Sequence, residues 1–489
     1  MALDETSQPI ELLLSVSRDG SRTLGAQIED QLRRAIRDGA LRPDARVPST
    51  RDLARQLGVS RRVVVDAYAQ LGAEGYLSLR QGARPRVSAS AAVAGEGQTT
   101  AAPPAHRSRF DFRPSVPDVS TFPRAAWLRS LRHALATVTD VDLGYGDPRG
   151  VMVLRAALAD YLGRVRGVVA DPEHVIITNG YTQGLGLVCE ALASSGATRI
   201  ALEDPSNPED ALVAARAGLE PVRISVDEAG TRIQELRRAR ADAVVLTPAH
   251  QHPTGVVLTG ERRTALLAWL RERRAIAIED DYDAEYRYDR AAIGALQGLD
   301  PDRVVYAGSA SKTLAPALRI GWLVVPPALL DAVVREKILA DRGTARIEQH
   351  ALADFLTRGE LDRHLRRMRA RYRARRDALI EALADALPEA AVSGVAAGLH
   401  VTVRLPDGDD ERAIREQALL RRIEVEPMSD FRPHAVDHPP ALVLGYAQMP
   451  EPAIRAGVRE LSEAVRASRS DTRSVGGRPG ASTAARSRA

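Results

Sequence analysis

The sequence predicts two folded domains of different class: a small, mostly helical domain followed by a large α/β domain with a mainly parallel sheet. The chain has 489 residues, more than one ordinary domain holds. Residues 88–109, rich in Ala, Gly, Ser, Thr and Pro, separate a short block from a much longer one. In the longer block, β-branched runs alternate with helical patterns, which is typical of a mainly parallel sheet.

These breaks in composition divide the chain into five segments. The last of them has almost no large apolar side chains, so we expect it to be disordered. The predicted segments are an N-terminal extension (1–20), the small domain (21–87), a flexible linker (88–109), the large domain (110–467) and a disordered tail (468–489).

Composition and charge narrow the classes of function. No run of 18 apolar residues occurs, and the acidic start MALDETSQPIELLL is unlike a signal peptide, so we expect no membrane association. Cys189 is the single cysteine, which excludes an internal disulfide and a cysteine-based zinc site and favours a cytoplasmic location. The formal net charge is +4, but residues 24–90 carry 12 Arg against 7 acidic residues. This excess fits either a solvated face or a phosphate-binding surface.

The small domain is predicted to contain three helices. The first is amphipathic because apolar residues stand at every fourth position: Leu24, Ile28, Leu32 and Ile36. Ser49 and Ser60 can cap two shorter helices, and Gly58 ends the first of these. The short connection between them is typical of a helix-turn-helix.

A helix-turn-helix would give the arginines of the small domain a role in DNA binding. A recognition helix inserts its N-terminal residues into the major groove of DNA, and here these are Ser60, Arg61 and Arg62. Arginine pairs with guanine edges or clamps phosphates. The string GYLSLRQGARPRVS then alternates like a strand pair that turns near Gly82. This wing would carry Arg80, Arg84 and Arg86. The alternative is a solvated three-helix module that binds a protein.

The run RVPSTRDLARQLGVSRRVVVDAYAQLGAEGYL resembles the GntR-type winged helix-turn-helix. The resemblance implies that Arg51, Arg61 and Arg62 contact DNA, with Gly82 and Arg84 at the tip of the wing. Many relatives carry Thr or Asn where Arg62 stands, so the resemblance leaves the base preference open.

Six runs predict strands in the large domain. Helical patterns such as residues 260–274 separate most of them, which predicts a mainly parallel sheet covered on both faces. In such sheets, ligands bind beyond the carboxyl ends of the strands. The runs are HVIIT (174–178), TRIAL (198–202), AVVLT (243–247), AIAIE (275–279), RVVYAG (303–308) and GWLVV (321–325).

The string SASKTLAPALRIGW, residues 309–322, follows the fifth of these runs. Lys312 stands among small hydroxyl residues directly after a strand, a setting that suits Schiff-base formation with an aldehyde cofactor. Ser309, Ser311 and Arg319 can bind a phosphate group. Pyridoxal 5′-phosphate (PLP) carries both an aldehyde and a phosphate.

Two further strings complete a PLP site. AIAIE leads into Asp280, whose carboxylate can pair with the pyridine nitrogen, and Tyr282 can hydrogen-bond the phenolic oxygen of the ring. The turn Asn179-Gly180-Tyr181 follows a strand and presents backbone N–H groups to a phosphate. The acidic run EDDYDAE could instead bind a metal, but the histidines that would support such a site are missing.

These strings resemble the fold-type I aminotransferases, and more closely the MocR subgroup, in which a GntR module precedes such a domain. The similarity runs from about Phe110 to Arg466. It implies Lys312 as the Schiff-base lysine, Asp280 on the pyridine nitrogen and Tyr282 on the ring oxygen. It also implies a set of residues around the phosphate, namely Gly180, Tyr181, Ser309, Ser311 and Arg319.

The same resemblance implies a homodimer in which Tyr145 reaches the phosphate from the other subunit. His252 stands where classical aminotransferases carry an Asn and many relatives an aromatic residue, and the resemblance implies that it contacts the cofactor. Two departures concern the substrate side of the site. Asn207 stands where relatives carry an aromatic residue over the ring, and no arginine lies between Pro433 and Pro452 to bind a substrate carboxylate, Arg432 being the nearest. Both departures weaken the case for amino-acid turnover.

The leading hypothesis is a PLP-dependent, DNA-binding transcription regulator that senses PLP or an amino compound through the aminotransferase-like domain. The alternative is an active PLP-dependent aminotransferase with an appended DNA-binding domain. A third reading, a regulator with a cofactor-free core, leaves the presence of Lys312, Asp280, Tyr282 and Arg319 unexplained.

Overall fold

The computed structural model describes residues 14–18, 22–80, 83–89, 108–288, 293–432 and 438–476. The chain forms two compact units that divide between Ala105 and His106. The first is mostly helical, and the second is built on a large mixed sheet. The predicted fold class is therefore confirmed.

The small domain contains the three predicted helices. The hydroxyls of Thr23, Ser49 and Ser60 accept hydrogen bonds from backbone N–H groups of the first turns and so begin the helices. Gly58 adopts the left-handed conformation, with φ +62°, that ends the second helix. The elements are α1 (Leu24–Arg37), α2 (Thr50–Leu57), α3 (Arg61–Ala73), β1 (Leu77–Ser78) and β2 (Arg86–Val87).

One apolar core holds this domain together. Ile28, Leu32 and Ile36 of α1 lie buried in one cluster with Val64, Tyr68 and Leu71 of α3. The strands β1 and β2 pair antiparallel, as predicted for the wing. Gly82, at the predicted tip of the wing, lies outside the described residues.

Part of the predicted N-terminal extension belongs to the small domain. Leu14 and Val16 pack against its apolar core. Between them, the backbone of Ser15 exchanges two hydrogen bonds with the side chain of Gln31, at 3.1 and 2.6 Å. The boundary predicted at residue 20 is therefore too late, because the alternation of apolar residues at 14 and 16 continues the core.

The large domain contains an eight-stranded sheet in the order β4-β11-β10-β9-β8-β5-β6-β7. Neighbours from β10 to β6 run parallel, whereas β11 and β7 are antiparallel to their neighbours. All six predicted strands are present. The strands of the domain are β3 (Phe110–Asp111), β4 (Val175–Thr178), β5 (Arg199–Asp204), β6 (Glu220–Asp227), β7 (Gly230–Thr231), β8 (Ala243–Leu246), β9 (Ile276–Asp280), β10 (Val304–Ser309), β11 (Gly321–Val324), β12 (Ala391–Ser393), β13 (His400–Arg404), β14 (Ile423–Glu424), β15 (Glu426–Pro427) and β16 (Ala441–Gly445).

Helices cover both faces of the sheet. In β8, Ala243 and Val245 belong to one apolar cluster, whereas Val244 and Leu246 belong to another. The helices of the domain are α4 (Arg124–Thr137), α5 (Met152–Arg166), α6 (Tyr181–Ser194), α7 (Pro208–Arg216), α8 (Ile233–Ala239), α9 (Gly260–Arg273), α10 (Ala310–Thr313), α11 (Pro327–Asp341), α12 (Arg346–Thr357), α13 (Glu360–Ala386), α14 (Glu411–Leu420) and α15 (Glu451–Gly476).

A second, antiparallel sheet follows in the order β12-β13-β16-β15. None of the six predicted runs belongs to this sheet. Its strands β12 and β15 have only three and two residues and show little periodicity, whereas β13 and β16, with five residues each, are as long as the predicted strands. The strand β3 pairs in parallel with β14. The first strand of the large domain is therefore hydrogen-bonded to the C-terminal part of the domain.

The C-terminal helix α15 runs to Gly476, past the tail boundary predicted at residue 468. Ser468 is buried, and the guanidinium of Arg469 forms ion pairs with Glu389 and Asp409 at 2.6 and 2.7 Å. These contacts hold the helix beyond Val465, where its regular apolar pattern ends, which is why composition alone predicted its end too early. The predicted tail therefore begins inside a helix.

Candidate functional site

A cavity of about 340 Å³ opens at the carboxyl ends of the parallel strands of the large sheet. The strands β5, β8, β9 and β10 end beside it, as the topology of parallel sheets requires. Its lining includes the predicted residues Tyr181, His252, Asp280, Tyr282, Ser309, Ser311, Lys312 and Arg319. Residues that are separated by more than a hundred positions in sequence therefore converge on one site.

Lys312 lies in the short helix α10, directly after β10. The hydroxyl of Ser309 accepts a hydrogen bond from the backbone N–H of Ser311 and begins this turn. Within the described residues, the Lys312 ammonium donates no hydrogen bond. Burial lowers its pKa below the ordinary value, although Asp280 and Asp283 oppose that shift. A lysine amine with a lowered pKa is a better nucleophile toward an aldehyde.

Asp280 ends β9 and points into the cavity. Its carboxyl group makes no hydrogen bond to any described residue, and burial, with the nearby Asp210 and Asp281, raises its pKa well above the usual range. An acid without a partner in a cavity is what a protonated pyridine nitrogen requires as a counter-charge. This residue fits PLP.

Tyr282 is held by a histidine that the sequence analysis did not single out. Its phenol oxygen lies 3.1 Å from Nδ1 of His250, and the same nitrogen lies 3.1 and 3.2 Å from the two carboxylate oxygens of Asp283. Burial and the nearby Asp283 raise the pKa of Tyr282 well above its ordinary value, so the phenol keeps its proton and can donate it to Asp283 or to an acceptor in the cavity. The second orientation is the one that a hydrogen bond to the ring oxygen of PLP requires.

His252 lies in the cavity as a neutral ring. Burial and the nearby Lys312 lower the pKa of His252 to about 3. The ring packs edge-on against Tyr282, His400 and Phe431, with centroid distances of 5.6, 5.2 and 5.2 Å. Its Nδ1 is buried without a hydrogen-bond partner among the described residues. This unpartnered nitrogen is a polar atom that a ligand in the cavity can satisfy.

The predicted phosphate residues divide into backbone and side-chain contributions. Gly180 has φ +90°, and a Cβ there would lie 3.0 Å from the guanidinium of Arg319, so glycine is needed at this turn. Arg319 donates to the Asn179 carbonyl at 2.7 Å. The phenol of Tyr181 lies 3.2 Å from Asp210, which leaves its backbone N–H, at the start of α6, for a phosphate.

Asn207 has a structural role that explains why no aromatic residue is needed for the local fold. Its side chain accepts from the Glu209 backbone and begins α7, and its amide donates to Asp210 at 3.0 Å. Burial raises the pKa of Asp210 to about 7, against the lowering effect of these hydrogen bonds. Asp210 lines the cavity together with Asp280 and Glu203, and the sequence analysis singled out only Asp280 of these three acids.

Ser115 is a further cavity residue that the sequence analysis missed. It has φ +60°, and its hydroxyl is buried without a hydrogen-bond partner among the described residues. Ser115 lies within the segment that resembles the aminotransferases, from about Phe110 to Arg466, but no sequence pattern assigns it a role. Thr182, Ser206 and Thr247 also line the cavity.

Two predicted positions lie away from the cavity in this protomer. Tyr145 does not line it and is 84% exposed. Arg432 does not line it either, and its guanidinium lies 3.9 Å from Asp204, at the end of β5. In the part of the chain that the structure describes, Arg319 is the one arginine of the lining.

The DNA-contacting residues predicted in the small domain are exposed. Ser60 begins α3, and Arg61 and Arg62 follow it on the solvent side, opposite the buried stripe. Arg51 and Arg84 are also exposed, and neither they nor Arg61 form an ion pair with a described residue. Arg62 reaches Asp66 at only 3.8 Å. These guanidinium groups are available to an anionic partner.

Comparison with known proteins assigns both parts of the chain. Residues 24–87 match the family described as bacterial regulatory proteins, gntR family, and residues 118–459 match aminotransferase class I and II. This chain belongs to the MocR-type subgroup of the GntR family. The predicted resemblance is therefore confirmed, and with it PLP as the cofactor of the large domain.

Similar proteins cover almost the whole chain. The probable rhizopine catabolism regulatory protein MocR of Rhizobium meliloti is 33% identical over 92% of this chain and 96% of its own. The HTH-type pyridoxine biosynthesis transcriptional regulator PdxR of Corynebacterium glutamicum is 33% identical over 73% of this chain and 78% of its own. The kynurenine aminotransferase of Pyrococcus horikoshii, solved with PMP, is 27% identical, with a TM-score of 0.67 over 73% of this chain and 91% of its own.

Two properties of the described residues bear on other classes of function. They contain no group of three or more His, Cys, Asp or Glu side chains placed to hold a metal ion. None of their helices has the length and apolar character needed to cross a membrane.

Proposed function

We propose that this MocR-type protein is a transcription regulator whose DNA binding responds to PLP, or to an amino compound that reacts with PLP. The observation that carries this proposal is the combination, in one chain, of a cavity with Lys312, Asp280 and Tyr282 and a helix-turn-helix with exposed Arg61 and Arg62. Such a function requires access to chromosomal DNA and therefore a cytoplasmic location.

The side chains of the cavity have distinct tasks in this proposal. When bound, PLP supplies an aldehyde that condenses with amines and a ring that withdraws electrons. Lys312 offers the amine, and its burial keeps a larger share of that amine neutral. Asp280 holds a proton at the pyridine nitrogen, and Tyr282 orients a hydroxyl toward the ring oxygen. Arg319 and the N–H groups after Gly180 bind the phosphate.

The protein is proposed to act as a homodimer. An exposed apolar stretch runs through the end of α4 and the following loop, where Leu135, Val141, Leu143 and Tyr145 are between 59 and 85% exposed. Apolar surface of this extent is typical of an interface, and a second copy of the chain would cover it. In that dimer Tyr145 would reach the phosphate bound by the partner subunit.

The effector is PLP itself or an amine that this cavity can hold. A carboxylate ligand needs a paired guanidinium, but Arg319 is engaged at the phosphate end and Arg432 lies beside Asp204. The cavity lining otherwise offers hydroxyls and acids, among them Ser115 and Asp210. These groups favour a ligand with amine and hydroxyl groups over an α-amino acid.

The test measures DNA binding with and without the cofactor. The cofactor-free protein is titrated onto DNA from upstream of its own gene in a mobility-shift assay, and the titration is repeated with PLP. We expect PLP to change the affinity of the parent but not that of Lys312→Ala, because a ligand shifts an equilibrium only through differential binding. Borohydride should fix the cofactor to Lys312, as mass spectrometry would show. Identical binding curves for the parent with and without PLP would refute the proposal.

A second candidate function is aminotransfer. The observation that favours it is the full set of Lys312, Asp280 and Tyr282 in a fold similar to that of solved aminotransferases. The positions of Arg319 and Arg432 weigh against aminotransfer, because neither is placed to bind the carboxylate of an amino acid. The two functions differ in whether an amino donor is turned over.

A further inference from the structure

Lysine is nearly absent from this chain. Lys312 and Lys337 are the only two lysines among the 489 residues, although lysine and arginine together number 68. Arginine therefore stands at almost every position that carries a positive charge. A site that keeps lysine in such a sequence needs a property of the ammonium group that a guanidinium does not have. For Lys312 that property is the ability to form a Schiff base.

Lys337 lies on α11, and its side chain is fully buried. Its ammonium nitrogen donates to Asp341 Oδ2 at 2.8 Å, to Thr344 Oγ1 at 2.8 Å and to Gln183 Oε1 at 3.1 Å. An ammonium has three N–H bonds, and here each has one acceptor. A planar guanidinium with five donors would leave donors unsatisfied in this closed site, which accounts for the lysine.

These hydrogen bonds lead to the turn after β4. Gln183 Oε1, which accepts from Lys337, also accepts from the backbone N–H of Asn179 at 2.7 Å. Asp341 Oδ2 accepts from the side-chain amides of Asn179 and Gln183 at 3.0 and 2.7 Å. From the other side, Arg319 donates to the Asn179 carbonyl. The peptide groups on both sides of Asn179 are therefore fixed.

We propose that Lys337 is a positioning residue for the phosphate of PLP. It orients Gln183, Gln183 fixes the backbone of Asn179, and the turn then presents the N–H groups of Gly180 and Tyr181 in a constant geometry. The inference rests on the proposed cofactor site. Lys337 does not line the cavity, so it acts through Gln183 and does not touch the cofactor.

Loss of the ammonium would release this turn. Without Lys337, the carboxylate of Asp341 loses its charged partner, and Gln183 Oε1 keeps only the Asn179 backbone. Because Asp341 would then bind water or move, its hold on the Asn179 and Gln183 amides would weaken. The effect should be confined to groups that the turn contacts, and among the parts of PLP this is the phosphate.

The experiment compares PLP with pyridoxal, which has the same aldehyde and ring but lacks the phosphate. Cofactor-free, full-length protein is titrated with each compound and followed by absorbance. Lys337→Met should weaken PLP binding at least about tenfold, as expected for a lost charged hydrogen bond, and leave pyridoxal binding at the parent's value. Arg335→Met removes an exposed arginine from the same helix and is the matched control, with no expected change. Lys337→Arg should behave like Lys337→Met.

The outcomes separate this inference from the cofactor assignment. Unchanged PLP binding in Lys337→Met, or an equal loss for PLP and pyridoxal, would overturn the positioning role. If Lys337→Met does not fold, Gln183→Met is used instead, because Gln183 is partly exposed and methionine is nearly isosteric with it. The loss of affinity for PLP is again compared with that for pyridoxal. If the parent protein binds neither compound and yields no borohydride adduct at Lys312, the cofactor site itself is wrong.

Discussion

At the scale of single residues, two adjacent aspartates have carboxyl groups in opposite surroundings. Asp280 faces the cavity without a hydrogen bond, whereas Asp281 is buried on the other side of β9. Asp281 binds Arg166 at 2.6 Å and accepts from the Tyr306 hydroxyl at 2.8 Å. The carboxyl group of Asp280 is therefore available to a ligand, whereas that of Asp281 stabilises the fold.

This contrast predicts opposite effects of the same substitution. Asp281→Asn should lower the free energy of unfolding by about 3–5 kcal/mol, because it leaves the buried Arg166 without its counter-charge. Asp280→Asn should leave the cofactor-free protein at least as stable as the parent at neutral pH but weaken PLP binding. Thermal unfolding of both variants, with and without PLP, is the measurement. Equal destabilisation by the two would contradict the assignment.

The raised pKa of Asp280 adds a dependence on pH. A carboxyl whose pKa is higher in the folded than in the unfolded protein stabilises the fold at low pH, and this contribution is lost as pH rises through the folded value. The stability of the cofactor-free parent relative to Asp280→Asn should therefore fall as pH rises above about 4, the ordinary pKa of an aspartate in the unfolded chain. Addition of PLP should reverse the trend, because a protonated pyridine nitrogen favours the ionised carboxylate.

Sequence reasoning at this scale located residues that follow a strand directly, such as Lys312 and Asp280. It could not locate His250 or Asp210, because their roles come from contacts with distant segments. His250 matters through its distance to Tyr282, 32 positions away, and Asp210 through Tyr181. Asn207 was interpreted from a missing aromatic residue, whereas its observed contacts are a helix cap and a bond to Asp210.

At the scale of elements, the helix-turn-helix was predictable because its signals are local. Each helix boundary is set by residues that are close in sequence, namely the caps Ser49 and Ser60 and the left-handed Gly58. The strands of the large sheet were predictable for the same reason, since each is a short β-branched run. The second sheet was not predicted, although His400–Arg404 and Ala441–Gly445 are five-residue strands of ordinary length, because no local signal shows that these two segments pair with each other.

The exposed arginines of this element make a prediction about DNA affinity. Arg61→Ala or Arg62→Ala should weaken operator binding by about 1–3 kcal/mol if the lost contact is a bidentate base pair. Arg51→Ala should weaken binding to all sequences and flatten its salt dependence, as expected for a phosphate contact. Arg55→Ala, on α2 and paired with Asp52, is the control. Mobility-shift titrations at several salt concentrations measure both effects, and parental affinity in all three variants would reject this surface.

At the scale of the whole molecule, a fold similar to that of aminotransferases is joined to a DNA-binding domain. An aminotransferase must hold the carboxylate of its substrate to orient the Cα–H bond for proton transfer by the lysine. Here Asp280 and Tyr282 line the cavity together with Lys312, but the described lining contains no second arginine besides Arg319. We propose that this site holds PLP but anchors the carboxylate of an amino acid poorly.

We therefore expect very slow or undetectable transamination with common amino donors, while DNA binding still responds to PLP. Single-turnover spectra with a panel of amino acids, recorded on the full-length protein loaded with PLP, measure the conversion to pyridoxamine phosphate. Arg432→Ala should not change these spectra, because Arg432 lies beside Asp204 and outside the cavity lining. The opposite result, rapid conversion that Arg432→Ala abolishes, would mean that this arginine enters the site with substrate. The protein would then be an enzyme as well as a regulator.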